Sequence, residues 1–125
     1  MKQRILLVED DADTIDVMCM ELEFLGYEVM VAKNGVEAVE MASTNLPNLI
    51  VMDVGLPQMN GLKAASEIRQ NPKTQGIPIL AATAKAMPGD REKCLAGGCD
   101  DYIAKPFMHR ELGAAVKKLL QDHHG

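Results

Sequence analysis

The sequence is poor in several things at once. Of its 125 residues none is tryptophan, and only two tyrosines and two phenylalanines make up its 3% of aromatics. With 47% of residues hydrophobic, aliphatic and methionine side chains must fill the core, a packing that adapts easily and specifies rotamers weakly. Three cysteines, Cys19, Cys94 and Cys99, are an odd number without metal-ligand spacing. That argues against a disulfide framework and a cysteine zinc site, and favours core or near-surface thiols in a reducing cytosol over a redox site. Basic residues are outnumbered, 13 against 18 acids for a net charge of -5. No Lys/Arg cluster could neutralise a run of phosphates, so nucleic acid is not the expected partner. No apolar run is long enough for a bilayer, and Lys2, Gln3 and Arg4 lead straight into a strand without a signal peptide, so no membrane and a cytoplasmic location are expected. Repeats, linkers and low-complexity segments are also missing, and the length suits one domain over residues 1–125.

What is present is a pair of unbroken apolar runs that end in acids. Leu49, Ile50, Val51 and Met52 run into Asp53, and Val54 to Pro57 read as a turn. Ile5 to Val8 run into Glu9, Asp10 and Asp11. Such runs are the pattern of strands buried on both faces in a parallel sheet. A carboxylate inside one would be costly to desolvate, but the C-terminal end of a strand is where open α/β sheets place their ligand crevice. By itself Asp53 is either a turn residue or a reactive group.

Around these runs, strand and helix patterns alternate. Ile15, Met18, Cys19, Leu22 and Leu25 form the apolar face of a helix that Gly26 closes. Glu28 to Ala32 is a short strand. Asn34 and Glu37 open a second helix with the spacing of a capping box, with Val36, Val39 and Ala42 as its inner face. Gly61 opens a third helix, with Leu62, Ala65 and Ile68 inward, that stops at Asn71 and Pro72. Ile77 to Ala82 is a fourth strand ending in Thr83. Met87 to Ala96 is a helix closed by Gly97 and Gly98. Asp101 to Ala104 is a fifth strand ending at Lys105, and Leu112, Val116, Leu119 and Leu120 mark the last helix. Alternation of this kind predicts an α/β fold, a doubly wound five-stranded parallel sheet of flavodoxin-like order 2-1-3-4-5 with helices on both faces.

The strand ends then converge. Strand one brings Glu9, Asp10 and Asp11, strand three Asp53, strand four Thr83 and strand five Lys105. Converging carboxylates repel one another. A hard divalent cation with oxygen ligands removes that repulsion, and Mg²⁺ suits two carboxylates plus waters and a phosphoryl oxygen. With an ammonium and a hydroxyl added, the set is suited to binding a phosphoryl group, with a carboxylate as nucleophile. A plain salt bridge between Lys105 and Asp53 accounts for two of these residues, not for four strands that all end in reactive types.

The segments Ile5 to Asp11, Asp53 to Pro57 with Gly61, Ala82 to Ala84, and Asp101 to Pro106, in that order and spacing, resemble the receiver domain of two-component response regulators over essentially the whole chain. The resemblance implies that Asp53 is the phosphoacceptor, taking its phosphoryl group from a histidine kinase or a phosphotransfer protein. It implies Mg²⁺ held by Asp10, Asp53 and the Gly55 carbonyl, with Glu9 acting through water. Thr83, the Ala84 amide and Lys105 would bind phosphoryl oxygens, and the bond from Lys105 to Pro106 would be cis. Tyr102 would be an aromatic switch coupled to Thr83, while Asp11 would only cap a helix. Glu9 stands where Asp is more usual, Leu56 where Met is common, and Met108 where a polar cap is usual; none of these removes a reactive group. Residues 84–98 are similar to the receivers of hybrid sensor kinases and of some stand-alone regulators.

The function implied is a stand-alone phosphorylation switch, not an enzyme beyond its own phosphorylation and dephosphorylation. Its output would be a protein docked on the face of the fourth helix, fifth strand and fifth helix. Met1 directly before the first strand favours a natural start. A phosphorelay intermediate, or a receiver excised from a hybrid kinase, is the alternative. An Mg²⁺-dependent aspartate phosphatase would need a second Asp where Gly55 stands. A flavodoxin would need a hydroxyl- and glycine-rich loop where this chain is acidic.

Overall fold

Among the described residues five short strands alternate with five helices: β1 (Arg4–Val8), α1 (Ala12–Phe24), β2 (Glu28–Ala32), α2 (Gly35–Asn45), β3 (Leu49–Asp53), α3 (Gly61–Gln70), β4 (Ile79–Thr83), α4 (Asp90–Ala96), β5 (Asp101–Ala104) and α5 (His109–Asp122). The computed structural model describes residues 2–53, 61–83, 90–104 and 109–122, with backbone only at Thr83, Asp90, Arg91, His109 and Asp122. All strands are parallel, in the order β2-β1-β3-β4-β5, as the alternating pattern predicts.

The apolar runs occupy the middle of this sheet. Ile5 to Val8 and Leu49 to Met52 are all buried. Alternate side chains feed two separate cores. Leu6, Val8, Ile50 and Met52 pack on one face with Ala38 and Ala42 of α2, Ala64, Ala65 and Ile68 of α3, and Cys94 of α4. Ile5, Leu7, Leu49 and Val51 pack on the other with Met18 and Leu22 of α1 and Leu112, Val116, Leu119 and Leu120 of α5. The period of two along each strand therefore assigns the two helical layers.

The helix ends follow local chemistry. Asp11 caps α1: its carboxylate accepts from the Thr14 N–H at 2.9 Å and from the Thr14 hydroxyl at 2.6 Å. Asn34 caps α2 by accepting from the Glu37 N–H at 2.9 Å. After α1, Gly26 takes φ +98°, so that the Tyr27 N–H reaches the Leu22 carbonyl and the Gly26 N–H that of Glu23. After α4, Gly98 takes φ +111° and the Cys99 N–H reaches the Cys94 carbonyl. Both are Schellman closures.

Three expectations change. Val36 does not face inward: it is exposed, and α2 buries Gly35, Ala38 and Ala42 instead. Small residues are what α2 needs where it packs close to α3, so the bulkier valine lies outside. Leu25 is likewise half exposed at the C-cap of α1, where the chain has already turned away from the core. β4 begins at Ile79, not Ile77. The Ile77 N–H is spent on Thr74 and its carbonyl on Arg69, which leaves neither for the ladder. The predicted start of the fourth helix at Met87 lies outside the described residues.

Candidate functional site

The acidic ends of β1 and β3 meet because the register makes them meet. Val8 stands beside Met52 in the β1–β3 pairing, so the next residues on each strand, Glu9 and Asp53, are level. Glu9 still belongs to the sheet, its N–H donating to Ala32 at 3.0 Å. Asp10 follows it out of the ladder. One carboxylate oxygen from each of Glu9, Asp10 and Asp53 lies within 4.8 Å of the others.

These three groups sit at different depths. Glu9 is only 2% exposed, Asp53 is half-buried and Asp10 is exposed. The Glu9 carboxylate accepts from the Asp11 N–H at 3.3 Å, so it also steadies the loop that carries Asp10 and the Asp11 cap. This contact has no counterpart in the sequence reading; an acid two residues before a cap is no signal by itself. Charges at such a separation repel by roughly 3 kcal/mol per pair at an effective dielectric of about 20. A buried carboxylate with two more at its side is a favourable place for a small hard cation, and all the donors are oxygens. The cluster could therefore hold a metal ion, with the exposed Asp10 side as the entry.

The strand ends next to it are aligned. Asp53 pairs with Ala82, and Thr83 with Ala104, so β4 and β5 finish at the same level beside Asp53. Tyr102 pairs with Ala81 on β5 and is half-buried against the core shared with α2, α3 and α4. Gly55, Ala84, Lys105 and Pro106 lie outside the described residues, as does the side chain of Thr83. Asp11 is a cap, as expected, and is not in the cluster.

The thiols are remote from this chemistry. Cys94 and Cys99 are buried in the core and Cys19 is half-buried; none is in a disulfide. Burial pushes the Cys99 thiol up to about 12, with Cys94 adding to the effect, and burial followed by the nearby Glu23 and Asp16 raises Cys19. Thiols held protonated in this way are poor nucleophiles.

Comparison with known proteins agrees with the geometry. The family model of the response regulator receiver domain matches residues 5–117. The chain is 40% identical over 121 residues to the alkaline phosphatase synthesis transcriptional regulatory protein PhoP of Bacillus subtilis, a match covering 97% of this chain and 50% of PhoP. It therefore spans half the length of that relative. It is 34% identical over 122 residues to the polar-differentiation response regulator DivK of Brucella anthropi, covering 98% of this chain and 99% of DivK. Among solved structures, the receiver domain of the sensor histidine kinase PA1611 of Pseudomonas aeruginosa superposes with a TM-score of 0.91 at 40% identity, over 97% of this chain and 99% of that one. That structure carries a magnesium ion coordinated in its active site cleft.

Proposed function

The chain belongs to the response regulator receiver domain family, and from that premise we propose that it is a two-component switch whose phosphoacceptor is Asp53. The observation that carries this reading is the meeting of Glu9, Asp10 and Asp53 within 4.8 Å at the C-terminal edge of the sheet. Asp53 is the member at the end of a central strand, half-buried and held by the β3–β4 ladder. An Asp53 Oδ attacks the phosphorus of a phosphohistidine. A P–O bond forms, the P–N bond breaks with its electron pair on the imidazole nitrogen, and that nitrogen takes up a proton from water.

The donor set suits Mg²⁺. Asp10, Asp53 and the Gly55 carbonyl are its proposed protein ligands, and Glu9 acts through a water. When bound, the ion offsets the carboxylate charge that would otherwise repel an incoming phosphoryl group. Lys105 and the Ala84 amide neutralise and bind the other phosphoryl oxygens. Thr83 binds one of them and passes the change to Tyr102, three residues before Lys105 on the neighbouring strand.

In this reading the chain is a signalling switch and catalyses nothing beyond its own phosphorylation and dephosphorylation. Its partners are a histidine kinase or phosphotransfer protein upstream, and downstream a protein docked on α4, β5 and α5. Its place is the cytoplasm, and residues 1–125 act as one receiver domain. Among the described residues no helix is long and apolar enough to cross a membrane. A second reading, a receiver that serves a hybrid kinase or a phosphorelay, is favoured by the likeness to the PA1611 receiver.

The test is labelling by a small phosphodonor such as acetyl phosphate. Wild type takes one phosphoryl group, and Asp53→Asn, which keeps the shape and removes the nucleophile, takes none. Full labelling of Asp53→Asn would sink the assignment.

A further inference from the structure

The last turn of α4 closes on two cysteines. The Cys99 N–H reaches the Cys94 carbonyl at 3.0 Å and the Gly98 N–H the Leu95 carbonyl at 3.3 Å, with Gly98 at φ +111°. In a Schellman closure the two residues joined by the longer of these loops are also the two whose side chains meet, as an apolar contact that seals the helix end. Here both are thiols. Cys94 is 2% and Cys99 6% exposed, both in the core between the sheet and the α2, α3 and α4 layer, and neither is in a disulfide. Burial first and Cys94 second push the Cys99 thiol up, while the Arg69 guanidinium works the other way. The part played by Cys94 needs the two sulfurs close together.

The spacing of Cys94 and Cys99 in the sequence marks nothing beyond two core residues, but the closure gives them disulfide reach. A bond of 3.0 Å from the amide of one to the carbonyl of the other keeps their Cα atoms inside the roughly 4.4–6.8 Å that a disulfide spans. α4 has only seven residues, too few to hold a helix by itself. Its end is latched by Arg69, whose Nε donates to the Gly98 carbonyl at 2.8 Å.

We propose that Cys94 and Cys99 are a redox pair, converted by hydrogen peroxide to an intramolecular disulfide and returned by small thiols. The closed fold keeps both protonated and inert, so the reaction waits on local opening of α4, which brings both thiols to water and back toward ordinary acidity. The Cys99 thiolate, the more exposed and the one beside Arg69, attacks a peroxide oxygen; the O–O bond breaks, hydroxide leaves and the sulfur becomes a sulfenic acid. The Cys94 thiolate attacks that sulfur; an S–S bond forms, the S–O bond breaks and a second hydroxide leaves. The two thiol protons convert the two hydroxides to water, so the thiols are oxidised and the peroxide reduced. With only residues 95–98 between the two, the second attack outruns one from another chain. The bridge then staples the end of α4 to the approach to β5.

The test is peroxide treatment of the intact chain in native buffer, then alkylation of the remaining thiols in denaturant, digestion without reductant and mass spectrometry. The peptide carrying Cys94 and Cys99 should escape alkylation, weigh two hydrogens less than its reduced form, and regain both alkylation sites after dithiothreitol. Cys19→Ser should form the same bridge at the wild-type rate. Hydrogen exchange at the Gly98 and Cys99 amides should slow about tenfold in the bridged chain, because the tether limits opening of the turn. The proposal is overturned if Cys94 and Cys99 are both still alkylated after peroxide, if they proceed to sulfinic acid without bridging, or if either is found joined to Cys19 or to a second chain.

Discussion

Replacing Arg69 with methionine keeps the length of the stem and removes a guanidinium that ties four segments together. Arg69 leaves the last turn of α3 and donates through Nε to the Gly98 carbonyl at 2.8 Å. Its Nη1 donates to the carbonyls of Gln75 at 2.7 Å and Ile77 at 2.6 Å, and its Nη2 pairs with Asp100. Asp100 in turn accepts from the Ile79 N–H at 2.7 Å, at the first residue of β4. The arginine thus links α3, the turn before β4, the closure of α4 and the start of β5. The bonds to Gly98 and Ile77 are partly buried, and an intramolecular hydrogen bond in such a place contributes about 1 kcal/mol net. The Gln75 bond and the Asp100 pair are more exposed and together add roughly 1 kcal/mol. The loss should total about 3 kcal/mol, a large share of the ~5–15 kcal/mol that holds a domain of this size. At about 4 °C per kcal/mol, the melting temperature should fall by roughly 12 °C. Arg69→Lys should recover less than half of this, because an ammonium can reach Asp100 but cannot fork to three carbonyls. Thermal melts followed by circular dichroism read the change, and acetyl phosphate labelling well below the melt should match wild type, because the clamp sits at the starts of β4 and β5, away from the Asp53 end of the sheet. A drop of under ~3 °C would mean that water replaces these bonds at no cost. Lost labelling in a folded variant would refute the separation of clamp from site.

Asp10→Asn should raise metal-free stability by removing one charge from the carboxylate cluster, and should blunt the stabilisation by Mg²⁺; paired melts with and without Mg²⁺ measure it, and an undiminished Mg²⁺ response would show that Asp10 is not a ligand. Thr83→Ala should still accept phosphate at Asp53 yet lose the response around Tyr102, a coupling of ~1–3 kcal/mol if it is typical of linked sites. NMR shifts in α4 and β5 with a beryllofluoride mimic report it, and a full wild-type response in Thr83→Ala would end the Thr83–Tyr102 mechanism. The Cys99 thiol, pushed up to about 12 by burial from an ordinary value of 9.0, stays protonated in the fold after it would ionise in the unfolded chain. Stability should therefore be unaffected below pH 9 and fall between pH 9 and 12, by up to ~1.4 kcal/mol per pH unit. Urea titrations of wild type against Cys99→Ala should show a shallower alkaline decline in the variant, and identical slopes would dismiss the effect.

The sequence alone was enough for the alternation of parallel strands and helices and for the meeting of the acids that follow β1 and β3. Unbroken runs such as Ile5 to Val8 and Leu49 to Met52 can only be buried on both faces, which dictates a parallel sheet covered by helices. Once those strands are neighbours, the acids that follow them have nowhere to be but together, so Glu9, Asp10 and Asp53 were legible before any coordinates. Caps were legible too, since Asp11 and Asn34 act on N–H groups within three residues. Contacts between distant segments were not. No periodicity assigns Arg69 to the carbonyls of Gly98 and Ile77, because those partners lie on other elements and the bond depends on how the elements pack. Val36 turned outward for a similar reason: its spacing fits an inner face, but the residues that α2 fully buries where it packs are Gly35, Ala38 and Ala42. The approach of α1 to α5 likewise belongs to the tertiary structure, because a missing side chain at Gly113 has meaning only with Leu25 opposite it. Local chemistry and burial write themselves into the residues of one segment, whereas a clamp and a close approach are properties of two segments at once.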